Sequence, residues 1–429
     1  MSVSNILYTT RCLLVKDVLK YVHMSLFSFT KKSNEELSII LEIGSGSIGG
    51  AIIKLSNKEQ PEIYYSIRKQ ISLDNAISSE NLNRQMIKVL NTVCENLQKD
   101  GLKHLDFIHD GSKKINNLHF VLSSPWIVSQ TKTAFYKKEL PFKITDSLME
   151  EIIKTQEDVV DKIAVEQFAQ LNPNSIGTVF EKKIVQVKLN GYKVTNPINK
   201  IAPTIDLAMV ISVAPQSFLQ TLEKEVSKYF NYSKPTYNSF TLASFSILSD
   251  LYPEKEDYMF LDLSSEISEI SLIRDGVLIG ETSFPIGRNN FVRKIASASN
   301  VSVEEAFSLL RSYHSNHLDQ TNIKLVEDSL DVSMQEWKSG LHQSLDILAR
   351  SAYIPRTIFK ITNDDFGIYF ANKLRGETFS QLGFTNEPFK VVMLDSKVFN
   401  KHCKTAKQTQ TDSFMHLNTL FLNKIFNLK

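Results

Sequence analysis

Residues 39–53 read Ile-Ile-Leu-Glu-Ile-Gly-Ser-Gly-Ser-Ile-Gly-Gly-Ala-Ile-Ile, which is an apolar strand, a turn of small residues and a second apolar strand. Residues 259–273 repeat this design as Met-Phe-Leu-Asp-Leu-Ser-Ser-Glu-Ile-Ser-Glu-Ile-Ser-Leu-Ile. In each stretch an acidic residue, Glu42 or Asp262, ends the first strand just before the turn. Two such hairpins that face each other across a cleft can hold the phosphates of a nucleotide and its metal ion. The duplication therefore predicts two related lobes with a site between them.

Bulk properties narrow the class of protein. The 429 residues are enough for two or more domains, and a net charge of +2 does not favour a nucleic-acid partner. The three cysteines, Cys12, Cys94 and Cys403, are far apart in sequence. They indicate neither a disulfide framework nor a zinc site, and they suit a reducing cytoplasm. No uninterrupted apolar run is long enough to span a bilayer.

Changes in composition and pattern divide the chain into segments. Between the lobes' hairpins, a capping-box pattern at Ser147 and Glu150 opens a helix, and Asn190-Gly191 marks a tight hairpin, so a small α+β module is predicted there. The predicted segments are an N-terminal extension at 1–36 with Met24 as an alternative start, a first lobe at 37–143 and 206–250, an insert at 144–205, a second lobe at 257–395, a basic linker at 396–413 and an amphipathic tail at 414–429.

Three further stretches carry a family resemblance. Residues 189–198 read Leu-Asn-Gly-Tyr-Lys-Val-Thr-Asn-Pro-Ile, residues 284–296 read Phe-Pro-Ile-Gly-Arg-Asn-Asn-Phe-Val-Arg-Lys-Ile-Ala, and residues 303–311 read Val-Glu-Glu-Ala-Phe-Ser-Leu-Leu-Arg. Their order between and after the hairpins resembles the FtsA/PilM family of the actin-like ATPase superfamily. The first stretch is similar to the signature of the family's SHS2 module. The resemblance implies a two-lobed, ribonuclease H-like α/β fold with an SHS2-type α+β insertion in the first lobe.

The resemblance also implies ATP and Mg²⁺ between the lobes. Glu42 and Asp262 are then candidates to hold Mg²⁺ through water, and no catalytic residue is identified. The implied cofactor-binding residues are Glu42, Gly44, Ser45, Gly46, Ser47, Asp262, Ser264, Ser265, Gly287, Asn363 and Asp364.

Several of these positions depart from the family pattern. Glu42 stands in place of Asp, Ser264-Ser265 in place of a Gly-Gly pair, and Gly287-Arg288 in place of a second pair. Asn363 and Asp364 stand where a glycine turn should contact adenosine. Because glycine accepts positive φ and lets backbone N–H groups approach phosphate, its loss predicts weak or absent ATP hydrolysis.

The C-terminal tail has apolar residues at three- and four-residue steps. An amphipathic helix after a basic linker is typical of a membrane-surface anchor, whose apolar face enters the headgroup boundary. The alternative is a helix folded back on the body of the protein. The predicted membrane-facing residues are Phe414, Leu417, Leu420, Phe421, Ile425 and Leu428.

The resemblance implies a scaffold rather than an efficient enzyme. The favoured function is an FtsA-like cell-division scaffold, cytoplasmic and peripheral at the inner face of a bacterial membrane, with a tubulin-like division protein as partner and self-association as a further contact. One alternative is a PilM-like adaptor that contacts inner-membrane components of a type IV pilus. Another is an active ATPase whose nucleotide state switches lobe closure.

Overall fold

The protein is described from a computed structural model, which covers residues 34–71, 79–104, 115, 117–169, 176–350, 352–361, 365–375, 388–407, 409–410 and 412–428. Residues 1–33 lie outside the described residues, and so does the alternative start at Met24. Two mixed sheets, one smaller antiparallel sheet, ten α-helices and a short π-helix (Leu97–Gly101) are described in these ranges.

The first lobe is built on a six-stranded sheet of order β15-β3-β2-β1-β4-β9. β1 pairs antiparallel with β2 and parallel with β4, and β4 pairs parallel with β9. The first predicted hairpin is β1–β2, whose apolar residues are buried on both faces of the sheet. The elements of this lobe are β1 (Glu35–Ile43), β2 (Ser47–Ser56), β3 (Glu62–Gln70), α1 (Ser79–Asn96), β4 (Asn117–Leu122), α3 (Gln216–Val226), β9 (Thr236–Ser239) and α4 (Phe240–Leu251).

The second lobe repeats this arrangement in a five-stranded sheet of order β12-β11-β10-β13-β14. Three antiparallel strands are again followed by two parallel ones, so β10 and β11 occupy the places of β1 and β2. The predicted duplication is therefore present in the topology. The elements are β10 (Tyr258–Leu263), β11 (Ser268–Arg274), β12 (Val277–Phe284), α5 (Arg288–Ser299), α6 (Val303–His314), α7 (Gln320–Ala349), β13 (Thr357–Ile361), α8 (Asp365–Arg375) and β14 (Lys390–Leu394).

A four-stranded antiparallel sheet of order β5-β8-β6-β7 is inserted between β4 and β9. It spans Val128 to Pro215 and is wider than the predicted 144–205, because β5 precedes the predicted helix and β8 continues past the predicted boundary. Helix α2 packs on one face through a separate apolar cluster. The elements are β5 (Val128–Lys143), α2 (Asp146–Ala169), β6 (Gly177–Leu189), β7 (Tyr192–Lys193) and β8 (Ile201–Pro215).

The C-terminal segment returns to the first lobe. After α9 (Ser396–Phe399), the short strand β15 (Lys404–Thr405) pairs in parallel with the edge strand β3, so part of the predicted linker belongs to the first sheet. Helix α10 (Ser413–Leu428) then packs against α4 and the face of β2.

This packing corrects the prediction that the apolar side of α10 faces a membrane. Leu417 and Phe421 are fully buried in an apolar cluster shared with β2 and α4, and Phe414, Leu420 and Ile425 pack partly buried against it. Leu428, in the last turn, is partly exposed. Burying an apolar stripe on the body of the protein removes it from water as effectively as a bilayer does. The helix folded back on the body is the alternative that the structure adopts. Within the described ranges, no helix has the length and apolarity needed to cross a membrane.

Candidate functional site

The turns of the two hairpins meet directly. The backbone N–H of Glu266 donates a hydrogen bond to Ser45 Oγ at 3.2 Å. A Cβ added to Gly46 would lie only 1.9 Å from the Cβ of Ser265. The hairpins therefore face each other as predicted, but their tips are in van der Waals contact at the place where a cleft was expected.

Glu42, on β1, is held by a cation from β3, which lies on the other side of β2. The guanidinium of Arg68, on β3, contacts the Glu42 carboxylate, donates to Ser47 Oγ at 3.0 Å and donates from Nε to Asp412 Oδ2 at 2.6 Å. Burial raises the pKa of Glu42, and Arg68 partly offsets that increase. Burial acts to lower the pKa of Arg68, but Asp412 and Glu42 raise it overall, so the cation is retained. Glu42 is thus already neutralised within the protein.

The glycines of the first turn serve close packing rather than unusual φ angles. The glycines with positive φ among the described residues are Gly191 and Gly276, neither of which lies in the hairpin turns. A Cβ on Gly49 would lie 2.7 Å from both Arg68 Nη2 and Met415 Cε. Neither Ser264 nor Ser265 is among the described residues with positive φ, so serine is not strained in the second turn.

Asp262 is the buried acid of the second hairpin. Burial, with the nearby negative charges of Glu269 and Glu42, raises its pKa to about 7, while Ser264 and Lys360 act in the opposite direction. Ser264 Oγ donates to its Oδ2 at 3.2 Å, and its Oδ1 has no hydrogen-bond partner among the described residues. Asp262 is therefore a buried carboxyl group that is partly protonated near neutral pH.

The start of α5 closes the second turn from behind. The N–H groups of Arg288 and Asn289 donate to the carbonyl oxygens of Ser264 at 3.0 Å and Ser265 at 2.7 Å. A Cβ on Gly287 would lie 2.5 Å from both carbonyl oxygens, so only glycine permits this approach. Amides at a helix N-terminus commonly bind phosphate, but these two are used by the protein itself.

Arg288, which stands where the family pattern has glycine, joins the two lobes. One guanidinium nitrogen donates to Ser265 Oγ at 3.3 Å and to Gln70 Oε1, on β3, at 3.0 Å. Beside it, the carboxylate of Glu266 accepts hydrogen bonds from Asn289 at 2.7 Å and from Arg293 at 2.6 Å. The departure from glycine thus adds contacts across the junction.

A second group of buried acids lies where the insert and both lobes meet. Glu181 of the insert accepts hydrogen bonds from the backbone and side chain of Ser239, just before α4. Thr241 of α4 contacts Glu269 at 3.0 Å and Glu281 at 3.1 Å. Burial, followed by the charge of Glu269, raises the pKa of Glu281 well above its ordinary value. These hydrogen bonds link the three sheets.

The residues present do not fit an Mg²⁺–nucleotide group. Asp262 Oδ1 and Glu266 Oε2 are buried oxygens without hydrogen-bond partners among the described residues, but Glu42 is paired with Arg68, Glu266 is paired with Arg293, and Ser265 abuts Gly46. The α5 amides are satisfied by carbonyl groups. Among the described residues, no group of three or more His, Cys, Asp or Glu side chains could hold a metal ion. Asn363 and Asp364, implied to contact adenosine, lie outside the described residues.

A solved structure has the same overall fold as this chain. The PilM–PilN type IV pilus biogenesis complex superposes with a TM-score of 0.59 over 93% of this chain and 98% of the other, at 12% sequence identity. This chain has the fold seen in that complex. A Bacteroides thetaiotaomicron protein described as having an actin-like ATPase fold matches at a TM-score of 0.38 and 10% identity, over 93% of this chain and 99% of the other.

The similarity shows the overall α/β fold of that complex, while the SHS2 type of the insert stays a prediction. A scan against protein-family models finds no match, and a search of curated proteins finds no significant similarity.

The sequence patterns missed the partner of Glu42. Neither Arg68 nor Asp412 is among the predicted site residues, yet both converge on the first hairpin. The glycine at position 49 is the feature that points to this contact, because Gly49 lies in register with Arg68 on one side and with Glu42 on the other. A glycine between two opposite charges on adjacent strands allows the longer side chain to cross the middle strand.

Proposed function

We propose that this chain is an assembly adaptor built on an actin-like fold, of the PilM kind, and that it does not hydrolyse ATP. The contact between the hairpin turns carries the proposal, because Gly46 and Ser265 leave no space between them and Arg68 already neutralises Glu42. A fold that keeps two lobes but fills the site between them with its own side chains is suited to binding other proteins rather than to nucleotide turnover.

The position of α10 favours a pilus-type adaptor over a division scaffold. The FtsA-like scaffold that the sequence favoured relied on the C-terminal helix as a membrane anchor, but most of the apolar face of this helix is buried against the first lobe. The similarity to a complex of type IV pilus biogenesis supports the same choice at the level of fold. We propose inner-membrane components of a pilus or related secretion machine as partners, with the chain at the inner face of the membrane.

Nucleotide binding tests the first half of the proposal. A fluorescent ATP analogue titrated into the pure protein at millimolar Mg²⁺ should give no saturable signal, and ATP turnover should equal that of the Asp262→Ala variant. Saturable binding that requires Mg²⁺, or turnover that Asp262→Ala abolishes, would overturn this half and favour the nucleotide-switched ATPase.

Affinity capture from the native host tests the second half. Tagged full-length protein, cross-linked in cells, should enrich inner-membrane components of a pilus or secretion machine. The Arg288→Ala variant, which weakens the junction but leaves the outer surfaces intact, serves as a matched bait. Enrichment of a tubulin-like division protein instead would favour the division scaffold.

A further inference from the structure

The far end of the inserted sheet carries an unusual set of exposed apolar side chains. This end lies opposite the connections to the first lobe, and we name it the tip, comprising residues 135–143, 188–193 and 199–205. Large apolar side chains are exposed there to between 64% and 78%, which is more than ordinary surface packing requires, and they are Phe135, Leu140, Tyr192 and Ile201.

The strand register brings these side chains to one end of the sheet. Lys143 of β5 pairs with Ile201 of β8, and Phe142 pairs with Ala202. Leu189 of β6 pairs with Tyr192 on one side and with the β8 strand on the other. The exposed apolar residues of β5, β7 and β8 therefore lie at the same end of the sheet, although Phe135 is on the opposite face from Tyr136, Leu189 and Tyr192.

A bulge raises part of β5 above the sheet. Pairing with β8 passes from Lys137–Thr204 directly to Phe142–Ala202, so residues 138–141 stand opposite Pro203 alone. Leu140, on this bulge, is 78% exposed. Leu140 thus lies on a stretch of β5 that has no one-to-one pairing with β8 and is open to solvent.

The tip is also basic. The tip has five exposed lysines, Lys137, Lys138, Lys143, Lys193 and Lys200, against the single carboxylate of Glu139. The ammonium of Lys193 donates a hydrogen bond to the carbonyl oxygen of Asp275, in the second lobe, at 2.7 Å. The ammonium of Lys138 lies 5.6 Å from the ring centre of Tyr136 and 5.3 Å from that of Phe142, which holds it beside the bulge. Asp206 pairs with Phe135 farther along the sheet and is the nearest acid in the register.

Protection of an edge strand explains only part of this pattern. Lysines, prolines and bulges on an edge prevent another strand from pairing, and Pro141 and the bulge have that effect here. This argues against a partner that adds a β-strand. It does not explain why large apolar side chains are exposed at this end of the sheet, since an edge is protected better by polar ones.

We propose that the tip binds the surface of an anionic lipid bilayer. An exposed apolar bulge with lysines beside it matches the headgroup boundary, where apolar side chains leave water and cations meet anionic lipid. This inference does not depend on the proposed function, because the tip lies outside the junction between the lobes. It assigns membrane contact to the insert, whereas the sequence pattern had assigned it to α10.

Vesicle co-sedimentation of the full chain tests this inference. The protein should bind vesicles of equal parts phosphatidylcholine and phosphatidylglycerol, bind phosphatidylcholine vesicles weakly, and dissociate as salt is raised. At about 1 kcal/mol for each lysine, the Lys137→Gln, Lys138→Gln variant should bind roughly 30-fold more weakly. Leu140→Ser should weaken binding about tenfold, because one inserted leucine is lost.

Matched variants separate the tip from general surface effects. Ile368→Ser removes an apolar side chain that is 52% exposed on the second lobe, and Lys324→Gln with Lys397→Gln removes two exposed lysines elsewhere. These variants should bind as the native protein does, and circular dichroism should confirm that all variants are folded. No binding to the anionic vesicles, equal binding by the tip variants, or binding of polyglutamate but not vesicles would overturn the proposal.

Discussion

Arg68 reaches Glu42 across the middle strand of the first sheet, directly over Gly49. The register places Gly49 beside Arg68 on β3 and beside Glu42 on β1. Only a residue without a side chain leaves the path open, because a Cβ at this position would lie 2.7 Å from Arg68 Nη2. The protein thus supplies its own cation to the carboxylate for which the family resemblance implied a metal ion.

Removing Arg68 should destabilise the fold strongly. In Arg68→Met, Glu42 and Asp412 would remain buried without their shared cation. Loss of one partner of a buried ion pair typically costs about 3–5 kcal/mol, which we expect in the free energy of unfolding measured with urea.

A matched pair of variants tests the cause of this loss. Arg84→Met, on the exposed surface of α1, should change the free energy of unfolding by less than about 0.5 kcal/mol. Neutralising both acids in the triple variant Arg68→Met, Glu42→Gln, Asp412→Asn should recover much of the stability. A triple variant no more stable than Arg68→Met would show that the charges are not the reason.

The contact between the hairpin turns gives a second prediction. In Gly46→Ala the new methyl group would overlap the Cβ of Ser265, so the turns must move apart. Overpacking of this kind costs about 1–3 kcal/mol, which a urea titration would detect. Adding Ser265→Gly should restore stability, because it removes the overlapping atom.

Gly280→Ala is the control, because the side chain nearest to Gly280 can move to accept a methyl group. Its Cβ would lie 3.2 Å from the end of the Leu348 side chain, which can rotate. The variant should be close to native in stability. A large effect of Gly280→Ala, or no effect of Gly46→Ala, would contradict the packing explanation.

The sequence predicted the elements better than the contacts between them. The two hairpins, the acids that end their first strands and the position of the insert follow from local patterns of apolar and small residues, and they appear in the structure. The pairing of Arg68 with Asp412 joins residues 344 positions apart. Local periodicity contains no information about such a contact.

The C-terminal helix shows a different reason for failure. The apolar stripe of α10 is the same for a helix that lies on a membrane and for one that lies on a protein, so periodicity cannot separate the two. The helix lies on the protein because the first lobe offers a complementary surface. Gly49 of β2 is part of this surface, since a Cβ there would lie 2.7 Å from Met415 Cε. The segment before the helix was similarly polar in sequence but pairs as β15 with Lys404 opposite Glu62.

Asp262 makes the stability of the protein dependent on pH. Its pKa is about 7 in the native protein instead of 3.8, so the native state binds more protons than the unfolded state between these values. The free energy of unfolding should therefore fall as pH rises from about 4 to 7, by about 4 kcal/mol at most from this residue. Burial shifts Glu42 and Glu181 in the same direction.

Urea titrations of Asp262→Asn and a control variant between pH 5 and 7 check this dependence. Asp262→Asn should show a shallower decrease than the native protein. The control is Asp319→Asn. Hydrogen bonds from Asn322 lower the pKa of Asp319, an exposed helix cap, so the stability that this carboxylate contributes is lost as pH falls, which is the opposite direction to Asp262. Equal slopes for the native protein and Asp262→Asn would show that Asp262 is not the titrating group.

Helix α10 should be required for stability. Phe421 is fully buried against the first lobe, and Phe421→Ala should lower the free energy of unfolding by about 3–5 kcal/mol. Leu428→Ala, in the partly exposed last turn, should cost much less. Deletion of residues 408–429 should expose the apolar surface of β2 and α4, which binding of a hydrophobic dye would report.

A membrane anchor would behave in the opposite way. If α10 left the body to enter a bilayer, Phe421→Ala would weaken vesicle binding and leave the free energy of unfolding unchanged. Loss of stability in Phe421→Ala together with unchanged vesicle binding would assign α10 to the core of the first lobe. Because the tip and α10 are separate surfaces, vesicle binding by Phe421→Ala and Leu140→Ser distinguishes them in one experiment.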